Sequence, residues 1–236
     1  MGGALAGRWR QAGFELIVVD PALGTAVPLD GVPDILVLAV KPQVWFAATE
    51  LLGERIGAAT LVVSVMAGVT LAALGARFPR SLVARTMPNT AAGRGAGITG
   101  LYMADSGASP RDMLEQLFAP AGATAWLDAE GDFDAVTAVS GSGPAYVFAF
   151  VETLAAAGVA AGLAPELAAR LARATLIGAA ALLDDGDNPA ALRAAVTSPG
   201  GTTAAGLAVL TPALAPLLRD TVAAACGRSR ELGRIG

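Results

Sequence analysis

The residues best suited to receiving a small charged ligand lie together at 196–207, Val-Thr-Ser-Pro-Gly-Gly-Thr-Thr-Ala-Ala-Gly-Leu. Glycines and hydroxyls there stand immediately before a helical stretch. Free backbone N–H groups and the positive end of the helix dipole therefore converge on one point, a ready site for a small carboxylate. The same residues would serve as an N-cap with a flexible lead-in, although the adjacent Gly200 and Gly201 are more than a cap needs. A second turn of this kind, Ser-Gly-Ser-Gly-Pro-Ala-Tyr, occupies 140–146. Towards the amino end, Val40-Lys41-Pro42-Gln43, Ser64-Val65-Met66-Ala67-Gly68-Val69 and Arg85-Thr86-Met87-Pro88-Asn89-Thr90 each follow or close an apolar run. All three fall at the carboxyl ends of expected strands, where open α/β sheets bind ligands. Each also has a plain structural use: Lys41 as a solvated cation, 64–68 as a tight loop, Asn89 as a turn former after Pro88. Their shared location is what groups them.

The chain has no histidine and a single cysteine, Cys226. That removes intrachain disulfides, ordinary zinc sites, Ser-His and Cys-His nucleophile pairs and imidazole acid-base catalysis. Hydride transfer from a nicotinamide survives this exclusion, because the cofactor carries the reactive hydride and the protein supplies position and polarity. The amino end fits that chemistry in part. Met1-Gly2-Gly3-Ala4-Leu5-Ala6-Gly7 is a Gly-rich helix start, and Leu16-Ile17-Val18-Val19-Asp20 follows after a turn. This matches the second half of a dinucleotide fingerprint, with Gly2 as its third glycine and Asp20 as the ribose-side acid. The opening strand and the first two glycines are absent, so we expect an incomplete chain whose start is assigned too late. An ordinary amphipathic amino-terminal helix, with Asp20 as a turn residue, reads from the same letters.

The elements that must position these residues change character along the chain. Strands are expected at 16–19, 35–40, 61–65, 82–85, 98–103 and 124–127, with helices at 43–56, 71–77 and 110–118. That is an α/β pattern, and its continuous apolar strands suit a parallel sheet covered on both faces. Beyond Asp128 only helices are expected, at 132–139, 144–161, 165–183, 189–195, 202–210 and 214–232, with a solvent loop at 184–188. We therefore expect an α/β Rossmann-like domain lacking its first strand over 1–128, and an all-α domain over 129–236. Hydrophobic residues make up 54% and charged residues 15%, so many helical faces must pack against protein, which favours a helical half shared between subunits.

Mean hydropathy is +0.58, yet no uninterrupted apolar run reaches the ~20 residues of a membrane span; the closest, 144–164, carries Glu152. The first residues show no basic region ahead of an apolar one, and a cytoplasmic protein is expected. With a net charge of −4 and no basic cluster, the chain offers nucleic acid little to hold. Neither a membrane nor nucleic acid is expected as partner, and no metal site is expected.

The order Val-Lys-Pro-Gln, Ser-x-x-Ala-Gly-Val, Met-Pro-Asn-Thr, Gly-Ser-Gly-Pro-Ala-Tyr and Thr-Ser-Pro-Gly-Gly-Thr-Thr resembles the pyrroline-5-carboxylate reductases over essentially the whole chain. The resemblance implies a Rossmann domain, a helical domain that forms a homodimer or higher oligomer, and reduction of 1-pyrroline-5-carboxylate to proline with NADPH or NADH. By motif, it implies that Met1 and Gly2 end the cofactor loop, and that Val40, Lys41, Pro42 and Gln43 border the dinucleotide. Ala67, Gly68 and Asn89 would approach the nicotinamide side. It implies that Ser198, Gly200, Gly201, Thr202 and Thr203 hold substrate, with Thr203 bonding the ring nitrogen as the catalytic hydroxyl. Asp20 departs from the family, which often places Asn or Ser followed by Arg there. A carboxylate repels the 2′-phosphate of NADPH and accepts the ribose hydroxyls of NADH. Two other readings stand beside this one. A 3-hydroxyacid dehydrogenase relative would need a lysine or histidine in the helical half, which has neither. A non-catalytic paralogue would dimerise through its helices without binding dinucleotide.

Overall fold

Runs of leucine and β-branched residues become strands where both faces can be covered. In the computed structural model five do so: β1 (Ile35–Leu38), β2 (Leu61–Ser64), β3 (Leu82–Pro88), β4 (Gly97–Met103) and β5 (Gly122–Trp126), in that order across one sheet. The structure describes residues 1–25, 31–50, 52, 56–104, 107–184 and 188–233. Strands β1 to β3 are parallel, with Ile35 beside Leu61 and Leu61 beside Leu82, whereas β4 runs antiparallel to β3 and β5 parallel to β4. The expected all-parallel sheet is thus mixed. Only residues 89–96 join β3 to β4, fewer than the dozen or so that a parallel crossover needs.

Helices α1 (Gly2–Gln11) and α4 (Ala108–Phe118) cover one face, and α2 (Trp45–Ala48) and α3 (Leu71–Arg77) the other. Alternate residues of β2 serve the two cores, Leu61 and Val63 the first and Val62 the second. Burying each such side chain stabilises the fold by roughly 2 kcal/mol. Trp9 of α1 sets its ring edge-on to Phe118, 6.3 Å between centroids, and donates Nε1–H to the Leu117 carbonyl at 2.6 Å. The helix expected over 43–56 is shorter: a 3-10 turn at Pro42–Val44 leads into α2, and residues 51 and 53–55 lie outside the described residues.

Residues 16–19 do not form the expected strand. Their alternation persists, with Leu16 half-buried against the first core while Ile17 is 71% and Val19 45% exposed. A strand also needs a hydrogen-bonding neighbour, and among the described residues none pairs with this segment.

Beyond the sheet, α5 (Phe133–Val136) continues through a π-helical turn, Thr137–Gly141, towards α6 (Gly143–Ala160). Then come α7 (Pro165–Asp184), α8 (Pro189–Ala195) and α9 (Thr202–Gly233). Of the expected acidic loop, residues 185–187 lie outside the described residues. Helix α9 replaces the two helices expected at 202–210 and 214–232, and holds Pro212 and Pro216 inside it. Each proline withdraws one N–H, leaving the Ala208 and Pro212 carbonyls without their usual donors; the flanking residues keep the ladder.

The chain forms two compact units. One is Met1–Ser142 together with the stretch from Ala223 onward; the other is Gly143–Val222. This partition falls later than the domain boundary expected at 128/129, because Phe133 and Ala138 are buried and Asp134 bonds the last turns of α9. Within the helical unit the buried hydrophobic residues are Ala168 and Ala172, among the described residues, while Phe148 of α6 is 67% and Val209 of α9 78% exposed.

By length and composition, two helical stretches, Glu130–Ala160 and Thr202–Gly233, are apolar enough to cross a membrane. Scattered charges break any unbroken apolar run in them, while alanines sustain the average. Part of each is held by protein, since Phe133 and Ala138 are buried and Ser229 bonds Asp134.

Candidate functional site

In the sheet unit, α1 opens with Met1 as N-cap, whose carbonyl accepts the N–H groups of Ala4 and Leu5 at 3.0 and 3.1 Å. The N–H groups of Gly2 and Gly3 precede the ladder and are open to a ligand. No acidic residue stands in the first turn, and Arg8 and Arg10 occupy the last, so the positive end of the dipole is uncompensated. A Cβ on Gly2 would lie 3.0 Å from Ala39 Cβ. This is the close helix-strand approach required of the last glycine of a dinucleotide fingerprint. It sets the start of α1 beside the end of β1, next to Val40 and Lys41. Lys41 is extended and exposed, capping the turn that begins at Pro42, and Gln43 is exposed.

The loop after β2 is fixed at both ends. Ser64 is fully buried; its Oγ accepts the Met66 N–H at 3.2 Å and its carbonyl accepts the Thr86 hydroxyl at 3.0 Å. At the far end Thr70 caps α3 by accepting the Ala73 N–H, and Glu130 Oε1 accepts the Leu71 N–H at 2.7 Å. The same Glu130 oxygen pairs with Arg85 Nη1 at 2.7 Å, and the Arg85 guanidinium lies 4.4 Å above the Phe133 ring centre. Between these anchors lie Ala67 and Gly68, the latter at φ +80, a conformation that favours glycine. Arg85 and Glu130 escaped the sequence reading. A cation inside an apolar strand signals a partner, but nothing local says which.

Asn89 follows β3 and is half-buried, with its Oδ1 buried and without a hydrogen-bond partner among the described residues. Asp20 is exposed; its Oδ1 accepts the Ala22 N–H at 2.9 Å, and its own N–H donates to Thr25 Oγ1 at 2.7 Å.

In the helical unit, the Gly201 N–H donates to the Ser198 carbonyl at 3.0 Å, closing a turn through Gly200 at φ +70. A Cβ on Gly201 would overlap Ser198 Oγ. The ladder of α9 begins with the Ala205 N–H donating to Gly201 at 3.1 Å, so the N–H groups of Thr202, Thr203 and Ala204 precede it. Both threonine side chains are exposed. This is an anion-receiving helix start flanked by hydroxyls. By contrast, the Ser140 hydroxyl donates to the Val136 carbonyl at 2.9 Å within its own helical run. The cofactor candidates therefore belong to the sheet unit and the substrate candidates to the helical unit.

Residues 130–232 match the family model described as pyrroline-5-carboxylate reductase dimerisation. A pyrroline-5-carboxylate reductase of Synechocystis sp. is 42% identical over 209 residues, which are 86% of this chain and 76% of the relative. That of Pseudomonas aeruginosa is 42% identical over 204 residues, 84% of this chain and 74% of the relative. The structure of the Coxiella burnetii pyrroline-5-carboxylate reductase superposes with a TM-score of 0.79 at 34% identity, covering 84% of this chain and 76% of that one. The Plasmodium falciparum pyrroline carboxylate reductase with NADP bound gives 0.73 at 31% identity, covering 85% and 77%.

Proposed function

This chain belongs to the pyrroline-5-carboxylate reductase family, and from that membership we propose that it reduces 1-pyrroline-5-carboxylate to L-proline with NADPH or NADH, the closing step of proline biosynthesis. The observation that carries the reading is that kinship with reductases of this name extends across both units at about two residues in five. The comparisons lend nothing to a non-catalytic paralogue.

The residues of the sheet unit fit a dinucleotide on two counts. The bare start of α1 approaches Ala39 so closely that a side chain at Gly2 would fill the gap, and the buried Asn89 Oδ1 lacks the donor that a ligand N–H or O–H would provide. Met1 and Gly2 would hold the pyrophosphate, Val40 to Gln43 would border it, Asp20 would meet a ribose, and Ala67, Gly68 and Asn89 would lie towards the nicotinamide. When bound, the dinucleotide supplies the hydride. The protein has to place the imine and favour its charge. The free N–H groups at the start of α9, to which the Gly200-Gly201 turn leads, receive the substrate carboxylate, Ser198 closes the turn, and the Thr203 hydroxyl orients the ring nitrogen. A cyclic imine takes its proton near neutral pH, so no imidazole is required. Association runs through the helical unit, whose exposed apolar faces need a second copy to cover them. Dependence on the nicotinamide pool is the ground for proposing a cytoplasmic location.

The test is loss of nicotinamide absorbance on adding pyrroline-5-carboxylate. Turnover with either dinucleotide is expected, and none with both would overturn the reading. Thr203→Ala should lower kcat/KM by about tenfold, the scale of one hydrogen bond of ~1.4 kcal/mol, with the circular dichroism spectrum unchanged. An unaltered kcat/KM would remove Thr203 from the site.

A further inference from the structure

We propose that the last turns of α9, from Cys226 to Gly233, hold the Ala67-Gly68 loop in the shape that receives the dinucleotide, with Ser229 and Gly233 as positioning residues. The inference rests on the cofactor assignment above. It starts from spacing: residues 226, 229, 230 and 233 recur at three and four positions and so form one stripe on the helix. The first three grip a single residue of α5. The Cys226 thiol donates to the Asp134 carbonyl at 3.4 Å, the Ser229 hydroxyl donates to Asp134 Oδ1 at 2.6 Å, and Arg230 Nε lies 3.5 Å from Asp134 Oδ2.

One turn further, the same stripe delivers the backbone of Gly233 to the backbone of Gly68. A Cβ at Gly68 would stand 2.8 Å from Gly233 Cα and 3.2 Å from its nitrogen. The contact is backbone on backbone, so neither side can yield by rotating a side chain. The loop is therefore held at three places: by Ser64 at its start, by Glu130 at Leu71, and by Gly233 in the middle. The first hold is a hydrogen bond within the segment that follows the strand, and the second reaches Leu71 from Glu130. The third comes from the far end of the chain and is a steric wall, positioned by the grip on Asp134.

The geometry also grades the substitutions. A Cβ at Gly233 would sit 3.4 Å from Gly68 Cα and 3.7 Å from its carbonyl oxygen, ordinary contact distances, so alanine fits and a branched side chain does not. Binding of NADH and NADPH is measured by nicotinamide fluorescence, and hydrogen exchange of the amides at 66–69 is followed in the full ligand-free chain. Ser229→Ala and Gly233→Val should each raise the dinucleotide Kd by about five- to tenfold, the scale of one ordinary hydrogen bond's net contribution, and should speed exchange at 66–69. Gly233→Ala and Asp134→Asn, which keep the contact and an acceptor, should restore most of the affinity. An unchanged Kd in both disruptive variants overturns the proposal. So does exchange that rises equally throughout the sheet unit, since that marks general loosening. A wild-type chain that binds dinucleotide but does not reduce the imine sinks the proposed reaction alone, and the Kd series still decides this inference. A wild-type chain that binds neither dinucleotide overturns both.

Discussion

Glu130 accepts from Arg85 and from the Leu71 N–H on one oxygen, and the Arg85 side chain is only 9% exposed. Removing the acid would strand a buried guanidinium and leave the Leu71 N–H without its acceptor. Glu130→Ala is therefore expected to destabilise the fold by about 3 kcal/mol, read as a lower Tm, and Arg85→Met in the same chain should recover part of the loss. Additive losses would show that the pair is not coupled. Asp20 poses a different question. Its Oδ1 already serves the Ala22 N–H, a role that a serine hydroxyl can take over, so Asp20→Ser tests charge more than turn geometry. The ratio of kcat/KM for NADPH over NADH should rise about fivefold, since like charges ~4 Å apart in water repel by about 1 kcal/mol; an unmoved ratio would dismiss Asp20 as a selector. The two residues were unequally legible. Asp20 is marked as a candidate because the fingerprint spaces its acid from its glycines, whereas Arg85 and Glu130 are 45 positions apart, and no local pattern links them.

Helix α1 owes its place to Leu5, Ala6 and Trp9, all buried, and its start carries the proposed pyrophosphate contacts. Trp9→Ala should cost about 3–5 kcal/mol, while Trp9→Phe, which keeps most of the ring but abandons the Leu117 carbonyl, should cost about 1 kcal/mol. Denaturant midpoints would separate them, and equal losses would mean that the indole N–H is what matters. Local signals located many elements well. The helices Leu71–Arg77 and Pro189–Ala195 have the expected bounds, where a threonine cap and an Asn-Pro start mark the ends. They failed where the deciding term is not local. Residues 16–19 have the alternation of a strand, but pairing is settled by a neighbour. The break expected between 210 and 214 spans Pro212, yet the ladder of α9 continues on either side of it.

At the scale of the whole molecule, the scarcity of charge was the readable clue. Only 15% of residues are charged, and the helical unit accordingly leaves Phe148 and Val209 open to solvent. Sedimentation should find a dimer or larger assembly, and Phe148→Asp should shift it towards smaller species. An unchanged mass would exclude this face of α6 from the interface. The division of labour between units was less legible, because Asp134 ties α5 to the last turns of α9 across 95 positions, from Ser229. That tie also involves the chain's only thiol, partly covered and engaged with the Asp134 carbonyl. Cys226 has no competitor for a thiol reagent, and local opening governs access to covered groups. The pace at which a maleimide dye attaches thus becomes a built-in clock for how often the carboxyl-terminal turns lift away.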